Sequence, residues 1–465
     1  MTDIFLFQPS VARQFIFTPI GLISLASSLK KSGFDSKIID LRVNQHHPDW
    51  EYDKIMTEAI MNVGLENARI VGISILSHEE AAYADKLGTR IRKSNPDVCM
   101  VIGGYFASCL RPDEIFDIFA WLDGIFIGEA EKDFVDFSKM ILSEGGNHRD
   151  FHRSNYISRI ENQGGVRKIV PSTTNLNDIA SMDYSLLGNI QEYSIFLYEL
   201  SRGCPHNCSH CIESRVSLRD YRIKPIMTIE QELKSISSII PKKFILISDC
   251  IIGVSRLWED IFQSMSNYSF EFLAEGRVDF PLRIIPLAYR AGLRIFWIGL
   301  ESASYNTLIR LRKVNDPLSY ERYLSNCTNL VKELIRNDIT TGISLMIGIP
   351  EDNEQDFAVT LKFICDLRRE ALNVMEITGN NPGLYIATSR FKVFKQTEIY
   401  ENLKDYQSRG FVVDTSEEKY GVYRVIKPSP SIDLDDLYAY MEKIKNLEIQ
   451  SEVMNDRLRN LGVSK

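Results

Sequence analysis

The sequence predicts an α/β protein built as two blocks in series. A flavodoxin-like (Rossmann-type) parallel-sheet domain is followed by a partial (β/α)6 barrel, and the chain ends in a small helical region. Three observations predict it. Short, nearly all-apolar runs alternate with helical patterns from residue 1 to about 145. The same alternation resumes near 194 and continues to about 400. A polar, poorly periodic stretch separates the two. Fully apolar strands alternating with helices indicate parallel sheets covered on both faces.

In the first block the strand-like runs are 3–8, 36–40, 69–75, 98–104 and 124–128, with helical patterns at 20–31, 79–93, 113–119 and 131–142. Five such units suit a doubly wound order that binds ligands at the carboxyl ends of its strands. Residues 146–190 (GGNHRDFHRSN at 145–155, then ENQGG) read as a linker with room for one hairpin. In the second block, 191–400, the expected strands are 195–200, 244–248, 270–275, 294–299, 340–348 and 373–378. The expected helices are 229–239, 255–266, 281–291, 317–336 and 354–368. Six strand–helix units fall short of the eight that close a barrel, so an open partial barrel is expected. Residues 401–465 are expected to be mostly helical, with a charged helix from 434 to about 461.

The 465 residues carry a net charge of −8, which gives no support to a general binder of nucleic acid or anionic membranes. The start MTDIFLFQPS lacks a basic segment and a long apolar run, and no stretch of eighteen apolar residues occurs. A cytoplasmic location is therefore expected. Of eight cysteines, three crowd into eight positions, which points to metal or redox use in a reducing compartment.

Those three are Cys204, Cys208 and Cys211 in LSRGCPHNCSHCIES, directly after the strand 195–200. Thiolates are the ligands that iron–sulfur clusters select. Three sulfurs on a four-iron cluster leave one iron open, as a catalytic site requires. Structural zinc, with His206 or His210 as fourth ligand, is the competing reading of the same residues. No second ligand pair appears nearby.

The CxxxCxxC spacing resembles the signature of the radical S-adenosylmethionine (SAM) superfamily. The resemblance implies a 4Fe-4S cluster on Cys204, Cys208 and Cys211, with SAM on the open iron and cleaved to a 5′-deoxyadenosyl radical. Further segments resemble the branch with an N-terminal ligand-binding domain. FLAEGRVD (272–279) resembles the strand that places an arginine, here Arg277, near SAM. FWIGLESAS (296–304) resembles the G-x-E-S segment, which implies SAM contacts for Gly299, Glu301 and Ser302. IGIPEDNEQDF (347–357) resembles the segment that leads into the next helix. The position before the third cysteine, aromatic in the family, is His210, whose imidazole can also stack on adenine.

PIGLISLASSLKKSGFDSKIID (19–40), GISILSHEE (72–80), IGGYFASCLRPDEI (102–115) and LDGIFIGEAEKDF (122–134) resemble the cobalamin-binding domain fused to many such enzymes. The resemblance implies cobalamin contacts from Pro19, Gly21, Ser74, Gly103, Gly104, Gly128 and Glu129. Residues 1–145 would then be the cobalamin-binding-like domain and 191–400 the radical SAM barrel. A D-x-H-x-x-G pattern is absent, so His78 is not expected to ligate cobalt.

Asp249 and Cys250 follow the strand 244–248 at the active end. Asp249 is a candidate SAM contact, and Cys250 is either a hydrogen-atom donor to a substrate radical or a buried inert thiol. Cys99, Cys327 and Cys365 read as core, and Cys109 is open. Arg277 and Glu301 each end an apolar strand. They either meet the charged groups of SAM or form a mutual salt bridge. The function so implied is a cobalamin-dependent radical SAM enzyme that methylates an unactivated carbon of a small molecule or peptide. Its electron donor would be a flavodoxin or ferredoxin. The alternatives are cyclisation, rearrangement or epimerisation without methyl transfer, and a non-catalytic, zinc-stabilised binding protein.

Overall fold

The computed structural model describes residues 2–9, 16–43, 52–151, 155–158, 173–188, 190–240 and 244–460. The chain forms two compact units. One comprises Met1–Leu197, Val216–Pro241 and Lys419–Gly421; the other comprises Tyr198–Arg215, Lys242–Glu418 and Val422–Lys465.

In the first unit the five expected strands appear as Ile4–Gln8, Ser36–Asp40, Ile70–Ser74, Cys99–Gly103 and Gly124–Phe126. Counted along the chain, they lie in the order 2-1-3-4-5 and all pair in parallel. Alternation along each strand feeds two cores. Ile4, Leu6, Ile70 and Val101 pack with helices Ile20–Lys31 and Glu131–Leu142 on one face. Phe5, Phe7, Val71 and Ile102 pack with helices His78–Ser94 and Pro112–Ile118 on the other. Phe5 and Phe7 are almost completely buried, and each such side chain contributes about 1.5–3 kcal/mol. Two features were not anticipated. Helix Tyr52–Val63 fills the gap between the second and third strands. Tyr156–Ser158, inside the expected linker, adds a sixth strand antiparallel to Gly124–Phe126. Residues 159–172 of the expected linker lie outside the described residues.

Gly104 shows how tightly the carboxyl edge of this sheet is laced. Its φ is +93°, and a Cβ there would stand 2.6 Å from the carbonyl oxygen of Ile75. That carbonyl already accepts the amide of Phe106, and the Ile75 amide donates to Gly103. Neither neighbour can yield, so Gly104→Ala is expected to cost about 2–4 kcal/mol, read as a fall in denaturant midpoint.

In the second unit, strands Phe244–Ile247, Glu271–Gly276, Leu293–Glu301, Thr340–Ile347 and Leu384–Arg390 pair in parallel, each with the next in sequence. Phe196–Tyr198 borders the first of them, which completes six strands. The sixth strand is not the expected 373–378. Those residues are the last turns of helix Glu354–Thr378, and Leu384–Arg390 is the strand. Phe357, Thr360, Ile364, Leu367, Ala371, Val374 and Met375 form one continuous buried stripe at helical spacing. The helix starts at an Asn353–Asp356 capping box and stops at Gly379 in the left-handed conformation.

Beyond 390 a small antiparallel sheet was also not anticipated. Lys392–Phe394 and Val412–Asp414 flank Val422–Lys427. The expected terminal helix is present as two, Leu434–Lys445 and Glu452–Asn460. The second matters for the site. Its Met454 and Leu458 pack against Leu273 and Ile295, with Leu246, Trp297 and Tyr385 beside them. Arg457 bonds Asp338 at 2.8 Å and the hydroxyl of Thr340, the first residue of its strand, at 3.1 Å. The helix therefore closes the amino end of the half-barrel's concave face, and the carboxyl end is where a ligand can enter. Among the described residues no helix is long and apolar enough to cross a membrane.

Candidate active site

The cysteine loop leaves the strand Phe196–Tyr198 at that carboxyl end and is pinned at both ends. Asp249, nearly buried, accepts the Leu200 amide at 2.8 Å and the Ser201 hydroxyl at 2.5 Å. Its two oxygens thus brace the entry to the loop, a different task from the expected SAM contact. Further on, Ser209 donates to the carbonyl of Arg310 at 2.6 Å, and its own carbonyl accepts the Ile399 amide at 3.2 Å. Between these pins Cys204, Cys208 and Cys211 are each half-buried and outside any disulfide. The Cys211 amide donates to the Cys208 carbonyl at 3.2 Å in a tight turn. Among the described residues no three His, Cys, Asp or Glu side chains converge on a point that would hold a single metal ion. A four-iron cluster spreads its ligands over several metals and does not need such a point.

Arg277 directly follows the strand Glu271–Gly276. Its Nη1 stands 3.8 Å from the Cys208 sulfur and its Nε lies 3.6 Å from Asp279. That Nε is buried without a hydrogen bond, and so is Nδ1 of His210. Burial pushes the His210 imidazole down to about 4, so it is neutral at physiological pH. Two orphaned polar atoms beside three thiols are what a site shaped for a polar cofactor leaves when described without it.

Glu301 ends its strand at φ +66°, beside a register shift, a conformation rare outside glycine. Its carboxylate meets Lys313 at 3.1 Å, with side-chain exposures of 14% and 5%. Lys313 also donates to the Gly299 carbonyl at 3.2 Å, which the Tyr323 hydroxyl shares at 3.1 Å. Burial opposes charge on Glu301, but the Lys313 ammonium overrides it and holds the carboxyl below its usual range. The mutual Arg277–Glu301 salt bridge is therefore replaced by two separate pairs, Arg277 with Asp279 and Glu301 with Lys313. The Ser302 hydroxyl is engaged by Thr360 at 3.1 Å and by the Ser304 amide at 3.1 Å, so it supports the turn after Glu301.

Cys250 is exposed, which removes the buried alternative. Crowding by the surrounding protein, and then the neighbouring Glu213 carboxylate, push its thiol well up, so the S–H is retained. Cys365, expected in the core, is exposed on its helix, whereas Cys99, Cys109 and Cys327 are buried.

At the carboxyl edge of the first unit's sheet, Pro19 precedes helix Ile20–Lys31, and Gly21 has open space where a side chain would stand. Ser74 and Gly103 end adjacent strands, and a Cβ on Gly103 would make only ordinary contact, at 3.8 Å from Phe126. Gly128 has φ +77°. At Gly21 and Gly103 the backbone is open to close approach. Glu129 is employed otherwise. It takes Arg222 through both oxygens, at 2.5 and 2.9 Å, and the Thr174 amide at 2.7 Å. It thereby fastens the segment beyond the expected linker.

Sequence reasoning missed Lys313 and Tyr323. Lys313 lies in a charged stretch, RLRKVND (310–316), that carries no periodic or motif signal.

Comparison with known proteins gives two family matches, the Radical SAM superfamily over residues 198–364 and the B12 binding domain over 11–138. The chain is 22% identical, over 74% of its length and 67% of the relative, to anaerobic magnesium-protoporphyrin IX monomethyl ester cyclase of Synechocystis sp.. It is 26% identical to bacteriochlorophyllide d C-12(1)-methyltransferase of Chlorobaculum tepidum, over 44% of this chain and 46% of that protein, and so spans about half of the latter. Its fold matches the radical SAM methyltransferase TsrM of Kitasatospora setae, solved with tryptophan and a SAM analogue. The TM-score is 0.71 at 15% identity, over 98% of this chain and 90% of that one.

Proposed function

Because the chain belongs to the radical SAM superfamily, in the group that carries a B12-binding domain ahead of the radical SAM domain, we propose that it is a cobalamin-dependent C-methyltransferase acting on a small molecule or peptide. The observation that carries this reading is the gathering of Cys208, Arg277, His210 and the Glu301–Lys313 pair at the open end of the half-barrel. When bound, the 4Fe-4S cluster, SAM and cobalamin supply radical initiation and the transferable methyl group. The chain's own residues bind and orient. Cys204, Cys208 and Cys211 would hold the cluster. Arg277 and Glu301 would present opposite charges to the carboxylate and amino groups of SAM, and Lys313 fixes Glu301 in the ionised form. Neutral His210 offers a flat face and an unused ring nitrogen. Asp249 keeps the loop in place while these contacts form. Gly21, Ser74 and Gly103 leave space for cobalamin. A flavodoxin or ferredoxin would deliver the electron.

The likeness to a cyclase favours a second reading, in which the same site drives ring formation without methyl transfer. Anaerobic reconstitution with cobalamin, reductant and methyl-labelled SAM separates the two. The methyltransferase yields S-adenosylhomocysteine and 5′-deoxyadenosine together. Deoxyadenosine alone supports the second reading, and neither product overturns both.

A further inference from the structure

The concave face of the half-barrel carries one carboxylate that no role described so far uses. Glu275 lies on the strand Glu271–Gly276, two residues beyond Leu273 on the same face, so it stands one layer nearer the open end than the apolar plug around Met454. Phe272 faces the opposite way and stacks on the helix residue Phe262, with ring centres 6.2 Å apart. In register beside Glu275 is Trp297. The Trp297 ring lies where a Cβ of Gly342 would fall, 2.6 Å away, and meets Tyr385 edge-on with ring centres 5.2 Å apart. Glu275 is exposed, and among the described residues its carboxylate makes no hydrogen bond or ion pair. Every other acidic group described at this site has a partner: Glu301 has Lys313, Asp249 has the loop, and Asp279 has Arg277.

We infer that Glu275 and the Trp297–Tyr385 pair form the substrate subsite, and that the group they receive is a protonated amine. A carboxylate set beside an aromatic wall pairs with an ammonium through a charge-assisted hydrogen bond, while the rings face its positive charge. A neutral hydroxyl gains much less from the same surroundings, and an anion is repelled by Glu275 and by Glu301 behind it. Surrounding protein and then Glu301 push the free Glu275 carboxyl up, and a cationic guest offsets both effects.

This inference rests on the enzyme reading above, and its test separates the two. The full chain with reconstituted cluster and saturating SAM, without reductant, is titrated calorimetrically with 2-phenylethylammonium and with 2-phenylethanol. These probes share a skeleton and differ in charge. The ammonium is expected to bind about tenfold tighter or more, and Glu275→Gln to bring the two affinities together. Equal affinities in the wild type, no detectable ammonium binding, or a preference that survives in Glu275→Gln overturns the proposal. A preference that appears only when SAM is left out also overturns it, because Glu275 would then belong to the SAM site. Reductant is then added to the wild-type samples and 5′-deoxyadenosine is counted. SAM cleavage without amine preference defeats this inference alone, whereas amine preference without cleavage defeats the enzyme reading alone.

Discussion

Replacing Cys208 by alanine is expected to abolish SAM cleavage by the reconstituted protein and to leave its fold intact. Cys208 is half-buried, and Arg277 approaches its sulfur at 3.8 Å. Loss of that weak contact changes stability by about 0.5 kcal/mol or less. The loss of function is of another order. Removing even an outer partner of a metal ligand lowers affinity or activity by about 10–100-fold, and removing one of three ligands exceeds that. Deoxyadenosine formation should fall below detection, while circular dichroism and the unfolding midpoint match the wild type. A variant that keeps its activity, or one that unfolds, contradicts the assignment.

Lys313→Met is expected to be the most destabilising single change at the site. It leaves Glu301 ionised, buried and alone, at a cost of about 3–5 kcal/mol in denaturant unfolding. Adding Glu301→Gln to the same protein removes the stranded charge and should recover much of the loss. Simple addition of the two single effects would show that the pair is not coupled. The sign of the pH dependence follows from the depressed carboxyl. The stability due to Glu301 is fully present above the ordinary glutamate value of 4.5, and it is lost as pH falls through the lower native one. Lys313→Met should flatten that acid limb of the wild-type profile.

Much of the architecture was legible because period-2 and period-3.6 patterns differ. Two-sided burial makes strands such as Ile4–Gln8 and Ile70–Ser74 continuously apolar, and helices Ile20–Lys31 and Glu131–Leu142 agree with the expected bounds. The segment 373–378 misled because a short apolar run reads the same in a buried helix end as in a strand. Only the capping residues Asn353 and Gly379 and the stripe running back to Phe357 decide it. The antiparallel sheet formed by Lys392–Phe394, Val412–Asp414 and Val422–Lys427 escaped because its strands are short and Lys392–Phe394 reaches Val422–Lys427 only through tertiary contact.

The cysteine loop was legible because its ligands are adjacent in sequence. Lys313 was not, because the topology alone brings it to Glu301. Asp249 and Ser302 sit where a motif reading puts SAM contacts, but the Leu200 amide and Ser201 hydroxyl bond the first and Thr360 engages the second. Sequence locates such residues without telling which partner they choose.

The proposed function requires three thiols at this barrel mouth to hold a 4Fe-4S cluster with one iron open to SAM. Low-temperature electron paramagnetic resonance of the anaerobically reconstituted, reduced protein, recorded before and after SAM is added, tests it most directly. A 4Fe-4S spectrum that changes when SAM binds is expected. A spectrum indifferent to SAM, or no iron–sulfur signal from a protein that carries stoichiometric zinc, would contradict it.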